Sequence, residues 1–334
     1  MQKTALSHAK SFRGDKLREF TFNRESLDRA VGRIKEKHSI VGRESELRRA
    51  LICANAEKHI LIEGPVGVGK TVLATAIADY LGRPIFRVDG DERYTEQKLT
   101  GWFDPPIVMQ KGYSEESFIS GPLTQSMSGG GILFINELNR LNEGVQNVLL
   151  PAMDEGKIEI PRIGTVYAKE GFLIIATQNP REFIATSSLS EALSDRFELL
   201  PLTYQDEEEE RSIVEIRTGL HDEQATQTIT AIIRETRVHP FVRRGASIRA
   251  ATSMASIMAF MGRDIEDFRN AAYLSLPTRM ELREDSKKNI YEVIDEIIEK
   301  AVSRFPVSKP EQVSESSPDA AADGADGEKK TIGS

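Results

Sequence analysis

Eight residues, Gly64-Pro65-Val66-Gly67-Val68-Gly69-Lys70-Thr71, fit the pattern G-x-x-x-x-G-K-[ST]. In this pattern the glycines let the backbone wrap around a polyphosphate, and successive N–H groups at the start of the following helix point at anionic oxygens. Lys70 is placed to reach β- and γ-phosphates, and Thr71 to offer a hydroxyl to magnesium. A second group, Ile132-Leu133-Phe134-Ile135-Asn136-Glu137, ends an apolar run on two polar side chains. There Glu137 is positioned to polarise an attacking water. Asn136 stands where phosphoryl-transfer sites of this design usually carry an aspartate for the magnesium shell. An amide oxygen still accepts a hydrogen bond from a metal-bound water but brings no negative charge, so magnesium is expected to be held more weakly and hydrolysis to suffer more than nucleotide binding.

The flanking elements suit that chemistry. HILIE at 59–63 reads as a strand and VLATAIADYLG as a buried helix capped by Gly82, which is the strand–loop–helix setting the phosphate pattern needs. RESELRRALICANA before it places Leu47, Leu51 and Ile52 at helical spacing. PIFRVDG, GILFI, GFLIIATQNP and FELLPL supply further strands, and the short continuous apolar runs are those of a parallel sheet covered on both faces. A helix is expected over 143–154 and a β-hairpin over 156–170. Strands alternating with helices predict an α/β three-layer sandwich. Beyond Thr203 the strand pattern stops and helical periodicity runs over 206–219, 222–238, 247–262, 264–274 and 286–304, predicting a small all-α domain after the sheet. The acidic run Asp206–Glu210 is read as a solvated helix N-terminus favoured by the backbone dipole, not as a metal site.

Composition excludes several classes. The 334 residues are 39% hydrophobic and 29% charged, with no apolar run near the ~20 residues a bilayer crossing needs and no secretory h-region, so a cytoplasmic location is expected. A single cysteine, Cys53, excludes an intrachain disulfide framework, and five scattered histidines suggest no zinc site. The net charge of −8 is unevenly spread: residues 1–40 carry +5, residues 306–334 carry −3, and residues 41–305 the remaining −10. That balance weighs against nucleic acid as the client, with the basic arm its main support. The expected organisation is an arm over 1–23, an α/β nucleotide-binding domain over 24–204, a helical lid over 205–284, a C-terminal helix over 285–305 and an acidic disordered tail over 306–334.

With both motifs in view, residues 24–284 resemble the MoxR family of AAA+ ATPases, in the helix-2-insert clade that also holds magnesium chelatase motor subunits and gas-vesicle GvpN proteins. The likeness runs through Val41-Gly42-Arg43-Glu44, EGPVGVGKT, Phe118–Leu123, FINELNR, QNVLLPAMDEGKIEI, ATQNP, EALSDRF and GASIRAA. It implies a P-loop NTPase three-layer sandwich with a helical lid, acting on ATP with Mg2+. It also implies roles. Asn179 is similar to a sensor-1 residue that orients the lytic water. Arg196 is similar to an arginine finger presented to a neighbouring subunit's nucleotide, and Arg249 to a lid-borne sensor 2. Val41 and Gly42 would lie against adenine. Thr71 and Asn136 would face the metal.

A finger acting in trans implies a homo-oligomer with head-to-tail interfaces, a hexameric ring in this family. The hairpin at 156–170 and the insert at 100–122, with Trp102, are then candidate moving elements. The implied activity is chaperone-like remodelling or maturation of a client complex, often beside a von Willebrand factor A-domain partner. Two other readings stand beside it: a nucleotide-gated scaffold with little turnover, and a DNA-acting motor.

Overall fold

The computed structural model describes residues 24–179 and 189–305; the arm and the tail lie outside the described residues. Eleven strands are found among them. They are β1 (Ile60–Glu63), β2 (Ile85–Asp89), β3 (Gly101–Phe103), β4 (Phe118–Ser120), β5 (Ile132–Asn136), β6 (Lys157–Ile160), β7 (Gly164–Tyr167), β8 (Leu173–Gln178), β9 (Glu198–Pro201), β10 (Val242–Arg244) and β11 (Glu281–Leu282).

Five of them form one parallel sheet in the order β2-β5-β8-β1-β9. Its central strands are buried on both faces because alternate residues serve two separate cores. Ile60, Ile62, Ile132, Phe134, Leu173 and Ile175 pack under the helices Arg24–His38, Glu44–Asn55 and Lys70–Tyr80. Leu61, Leu133, Ile135, Ile174 and Ala176 face the opposite layer, with Leu123, Met127, Val145 and Leu149. The expected three-layer arrangement is therefore present.

Local details depart from the sequence reading where one rule overrides another. Ile52 is 51% exposed, and Ala50 and Ala54 take the buried stripe beside Leu47 and Leu51. The helix expected over 143–154 is two, Glu143–Asn147 and Leu149–Asp154, because Pro151 has no N–H to return to the Asn147 carbonyl. The hairpin is present as antiparallel β6–β7, and Arg162 at its turn lies 3.5 Å over the Tyr113 ring of the insert. Within the insert, β3 pairs with β4, and Phe103 packs edge-on against Tyr113 and Phe118 while Trp102 is partly exposed.

The C-terminal region is helical around its own core, but strands do not cease at Thr203. Val242–Arg244 pairs antiparallel with Glu281–Leu282, a match too short and too charged to show in a periodicity. The helix Ile290–Arg304 buries Val293, Ile294, Ile297 and Ile298 in the same cluster as Ile229, Met254 and Phe268, so it packs as part of the helical unit. Glu210 corrects the reading of the acidic run as wholly solvated. It is 2% exposed, one turn before the buried Val214, and its carboxylate accepts from Arg234 at 3.0 Å and Arg237 at 2.7 Å. Removing one member of such a buried set leaves an uncompensated charge.

One half-buried histidine ties β1 to β8 and gives a stability signature. His59, just before β1, accepts the Ile174 N–H at 3.0 Å through Nδ1, and burial, helped by nearby Lys58, depresses its pKa to about 4. The unfolded chain takes up the proton near 6.5, so this contribution is complete above that pH and is lost as pH falls toward 4. His59→Gln, which does not titrate, is expected to lose about 2 kcal/mol less stability than the wild type between pH 7 and 5. Urea unfolding at both pH values checks this; equal losses would mean that the His59 ring is not the proton sensor.

Candidate functional site

The C-terminal ends of the parallel strands, the loop after β1 and the first helix of the lid surround a cavity of about 880 Å³. That size falls within the usual range for small-molecule sites. The helix Lys70–Tyr80 starts at its floor. Gly69 precedes it with φ 93°, a left-handed conformation that glycine adopts without strain, and the first turn has no acidic side chain to mask the positive helix end. Lys70 curls over the loop, its Nζ donating to the carbonyls of Gly64 at 2.7 Å and Pro65 at 2.9 Å. A Cβ at Gly64 would meet the Leu202 carbonyl, and one at Gly67 would meet Ser247, so the loop is pressed between β9 and the start of the lid helix Ile248–Met258.

Of the residues singled out by the sequence, Val41, Val66, Gly67, Val68, Gly69, Lys70, Thr71, Asn136, Glu137, Asn179 and Arg249 line this cavity together. Gly42, Gly64 and Pro65 sit behind the lining, with Gly42 against Glu209 and Gln205. Arg196 is elsewhere: its Nε and Nη2 clasp Asp154 at 2.6 and 2.5 Å, and Nη1 donates to the Ala192 carbonyl.

Several contributors were not visible from residue spacing. Arg43 donates to the Val68 carbonyl at 3.1 Å and the Thr203 carbonyl at 2.6 Å while paired with Glu46, bridging the loop to the segment that enters the lid. Arg87 enters the lining from β2, and Arg217 from the lid. Among the described residues, the cationic side chains on the lining are thus Arg43, Lys70, Arg87, Arg217 and Arg249, and the carboxylate is that of Glu137. A cavity with that balance is built for a polyanion.

Glu137 itself is held at φ 57°, outside the ordinary region for a non-glycine residue, by contacts on three sides. Its N–H donates to Thr177 Oγ1 at 3.0 Å, and its carboxylate accepts from Arg140 at 2.8 Å. The tip of β2 comes so close behind it that a Cβ at Gly90 would strike the Glu137 carbonyl oxygen. Arg140 therefore belongs to the surroundings of the glutamate. Asn136 receives the Thr177 hydroxyl on Oδ1 at 3.1 Å and donates from Nδ2 to Asp89 at 3.1 Å. The Asp89 carboxyl is held below its ordinary range chiefly by Arg87, with help from that amide.

Among the described residues no cluster of three or more His, Cys, Asp or Glu side chains could hold a metal by itself. Hydroxyl, amide and carboxylate oxygens at Thr71, Asn136 and Glu137 fit a magnesium ion that completes its shell with phosphate oxygens and water. No helix among the described residues is long and apolar enough to cross a membrane.

Comparison with known proteins agrees with this construction. The model of the AAA domain, dynein-related subfamily, matches residues 59–197, which run from β1 to the residue before β9. An uncharacterized protein of Bacillus subtilis, YojN, is 29% identical over 224 residues, covering 65% of this chain and 73% of its own. The gas vesicle ATPase GvpN of Haloferax mediterranei is 28% identical over 240 residues, covering 66% of this chain and 68% of its own. Among solved structures, a RuvB variant of Thermotoga maritima aligns with a TM-score of 0.47 at 20% identity, over 78% of this chain and 71% of that one. The parallel sheet up to β9, with the phosphate loop at its mouth, lies within the span matched by the AAA domain model, and the chain is similar to the gas vesicle ATPase GvpN over 66% of its length.

Proposed function

We propose that the cavity takes ATP with magnesium and that a ring of these chains uses its hydrolysis to remodel or mature a client protein complex. The observation that carries the nucleotide reading is the lining itself: among the described residues, five cations and one carboxylate around a strand–loop–helix phosphate cradle. Lys70 and the N–H groups of Val66–Lys70 bind the phosphates, and Arg249 closes on them from the lid. Val41, with Ile40, Ile213 and Ile216, offers the apolar surface for a base. Asn179 orients the attacking water and Glu137 takes its proton. Thr71 and Asn136 would hold a magnesium ion, which would neutralise charge on the bound phosphates.

Arg196, away from its own cavity, is assigned to the neighbouring subunit's nucleotide, which makes the oligomer part of the active site. Movement of the lid against the sheet, through the Arg43 bridge and the Thr203 segment, would carry the state of the nucleotide to the hairpin and insert. The client, and a von Willebrand factor A-domain partner, rest on the family resemblance.

Lys70→Ala tests the nucleotide reading. Loss of charge-assisted bonds to phosphate, at roughly 1.5–3 kcal/mol each, is expected to weaken ATP binding by about 10- to 100-fold. Titration of ATP into wild type and variant measures it. Equal affinities would show that the cradle does not hold phosphate.

A further inference from the structure

The amide at position 136 leaves the expected metal site one negative charge short, and the tertiary structure sets a carboxylate beside it. Parallel pairing of β2 with β5 puts Asp89 opposite Asn136, and the Gly90 N–H donates to the Asn136 carbonyl at 2.7 Å, which holds the two strand ends together. The hydrogen bonds leave one orientation for the amide. Thr177 Oγ1 already accepts the Glu137 N–H, so its own proton goes to Asn136 Oδ1; the Asp89 carboxylate can only accept, so it takes the proton of Nδ2. An aspartate at 136 could not make the second of these contacts. Asn136 is therefore suited to its neighbours as an amide, and a charge at 89 replaces a charge at 136.

We propose that Asp89 carries the negative charge of the magnesium site, and that Asn136 is a positioning residue whose amide ties that carboxylate to Thr177 and Glu137. This rests on the reading of the cavity as a magnesium–ATP site. Arg87 pairs with Asp89 at 2.7 Å, but the two side chains are 53% and 60% exposed, and ion pairs of that kind contribute little. A divalent cation can draw on the carboxylate at little cost. Arg87, already on the cavity lining, then turns to phosphate. A carboxylate one hydrogen bond removed from the residue facing the metal acts as an outer-shell partner, a position at which substitutions typically cost about 10- to 100-fold in metal affinity.

The test removes the charge without removing the hydrogen bond. Asn at 89 can still accept from Asn136 Nδ2, so Asp89→Asn keeps the shape and loses only the anion; Asp89→Ser serves as a second variant if the first is unstable. ATP affinity of the full chain is measured by calorimetry in EDTA and in saturating magnesium, and the ratio of the two reports metal coupling, independently of turnover. Asp89→Asn is expected to lower that ratio about tenfold, and the exchange Asp89→Asn with Asn136→Asp to restore it to within about twofold of wild type. A ratio unchanged by Asp89→Asn, or a loss that the exchange does not recover, overturns the proposal. Wild-type protein that binds no ATP, or binds it equally with and without magnesium, would instead remove the magnesium–nucleotide reading and the proposal with it.

Discussion

Glu137→Gln is expected to bind ATP with near wild-type affinity and to hydrolyse it about 10²- to 10⁴-fold more slowly, the usual loss when a general base is removed. The expectation follows from where the carboxylate is held. Glu137 lines the cavity, its backbone is pinned in a left-handed conformation by Thr177 and by the approach of Gly90, and Arg140 orients its carboxylate at 2.8 Å. The amide of glutamine preserves that shape and can still accept from Arg140, but it cannot take a proton from water. Single-turnover phosphate release, compared with equilibrium ATP binding, separates the two steps. A variant that turns over within about threefold of wild type would show that proton transfer goes elsewhere.

Arg196→Ala is expected to lower hydrolysis by as much as about 10³- to 10⁵-fold while leaving each chain's own cradle intact, the range over which an arginine finger acts in related phosphoryl transfers. The residue's geometry suits a role outside its own cavity. Asp154 clasps two of its guanidinium nitrogens, a fork-to-fork contact that fixes the plane of the group, and the Ala192 carbonyl takes a third. The decisive measurement is a mixture. Subunits with Arg196→Ala retain Lys70, and subunits with Lys70→Ala retain Arg196. A shared site formed by the cradle of the first and the finger of the second is complete, so combining two inactive proteins is expected to recover activity, with a maximum at intermediate ratios. Mixtures that stay inactive at every ratio while mixed oligomers form would count against completion in trans.

What could be read without a structure was whatever local chemistry announces. The loop Gly64–Thr71 has to sit between a strand and a helix to work, and both neighbours show their character in a few residues: ILIE in β1, and the apolar helix that Gly82 ends. The alternation of strands with helices likewise identifies the layered sheet, because crossovers in a parallel sheet leave a long periodic signal. Weak local patterns failed. The pair β10–β11 joins three residues to two that lie almost forty positions away, and neither segment alternates. Ile52 follows the periodicity but misses the buried stripe, since small alanines pack closer to the sheet-covering layer.

The site divides along the same line. Residue types and spacing alone determined that a phosphate cradle, a glutamate at a strand end and an amide in place of an aspartate occur in this protein, because each is confined to a few consecutive positions. Only the tertiary structure decided what surrounds them. Asp89 and Asn136 are 47 residues apart, and Arg43 and Thr203 are 160 apart, yet each pair is in hydrogen-bond contact. Such neighbours are set by which strands pair and in what register, a choice made by the packing of the whole sheet. The missing charge at 136 was therefore legible as a defect in the sequence, and the carboxylate that answers it became visible only once β2 lay beside β5.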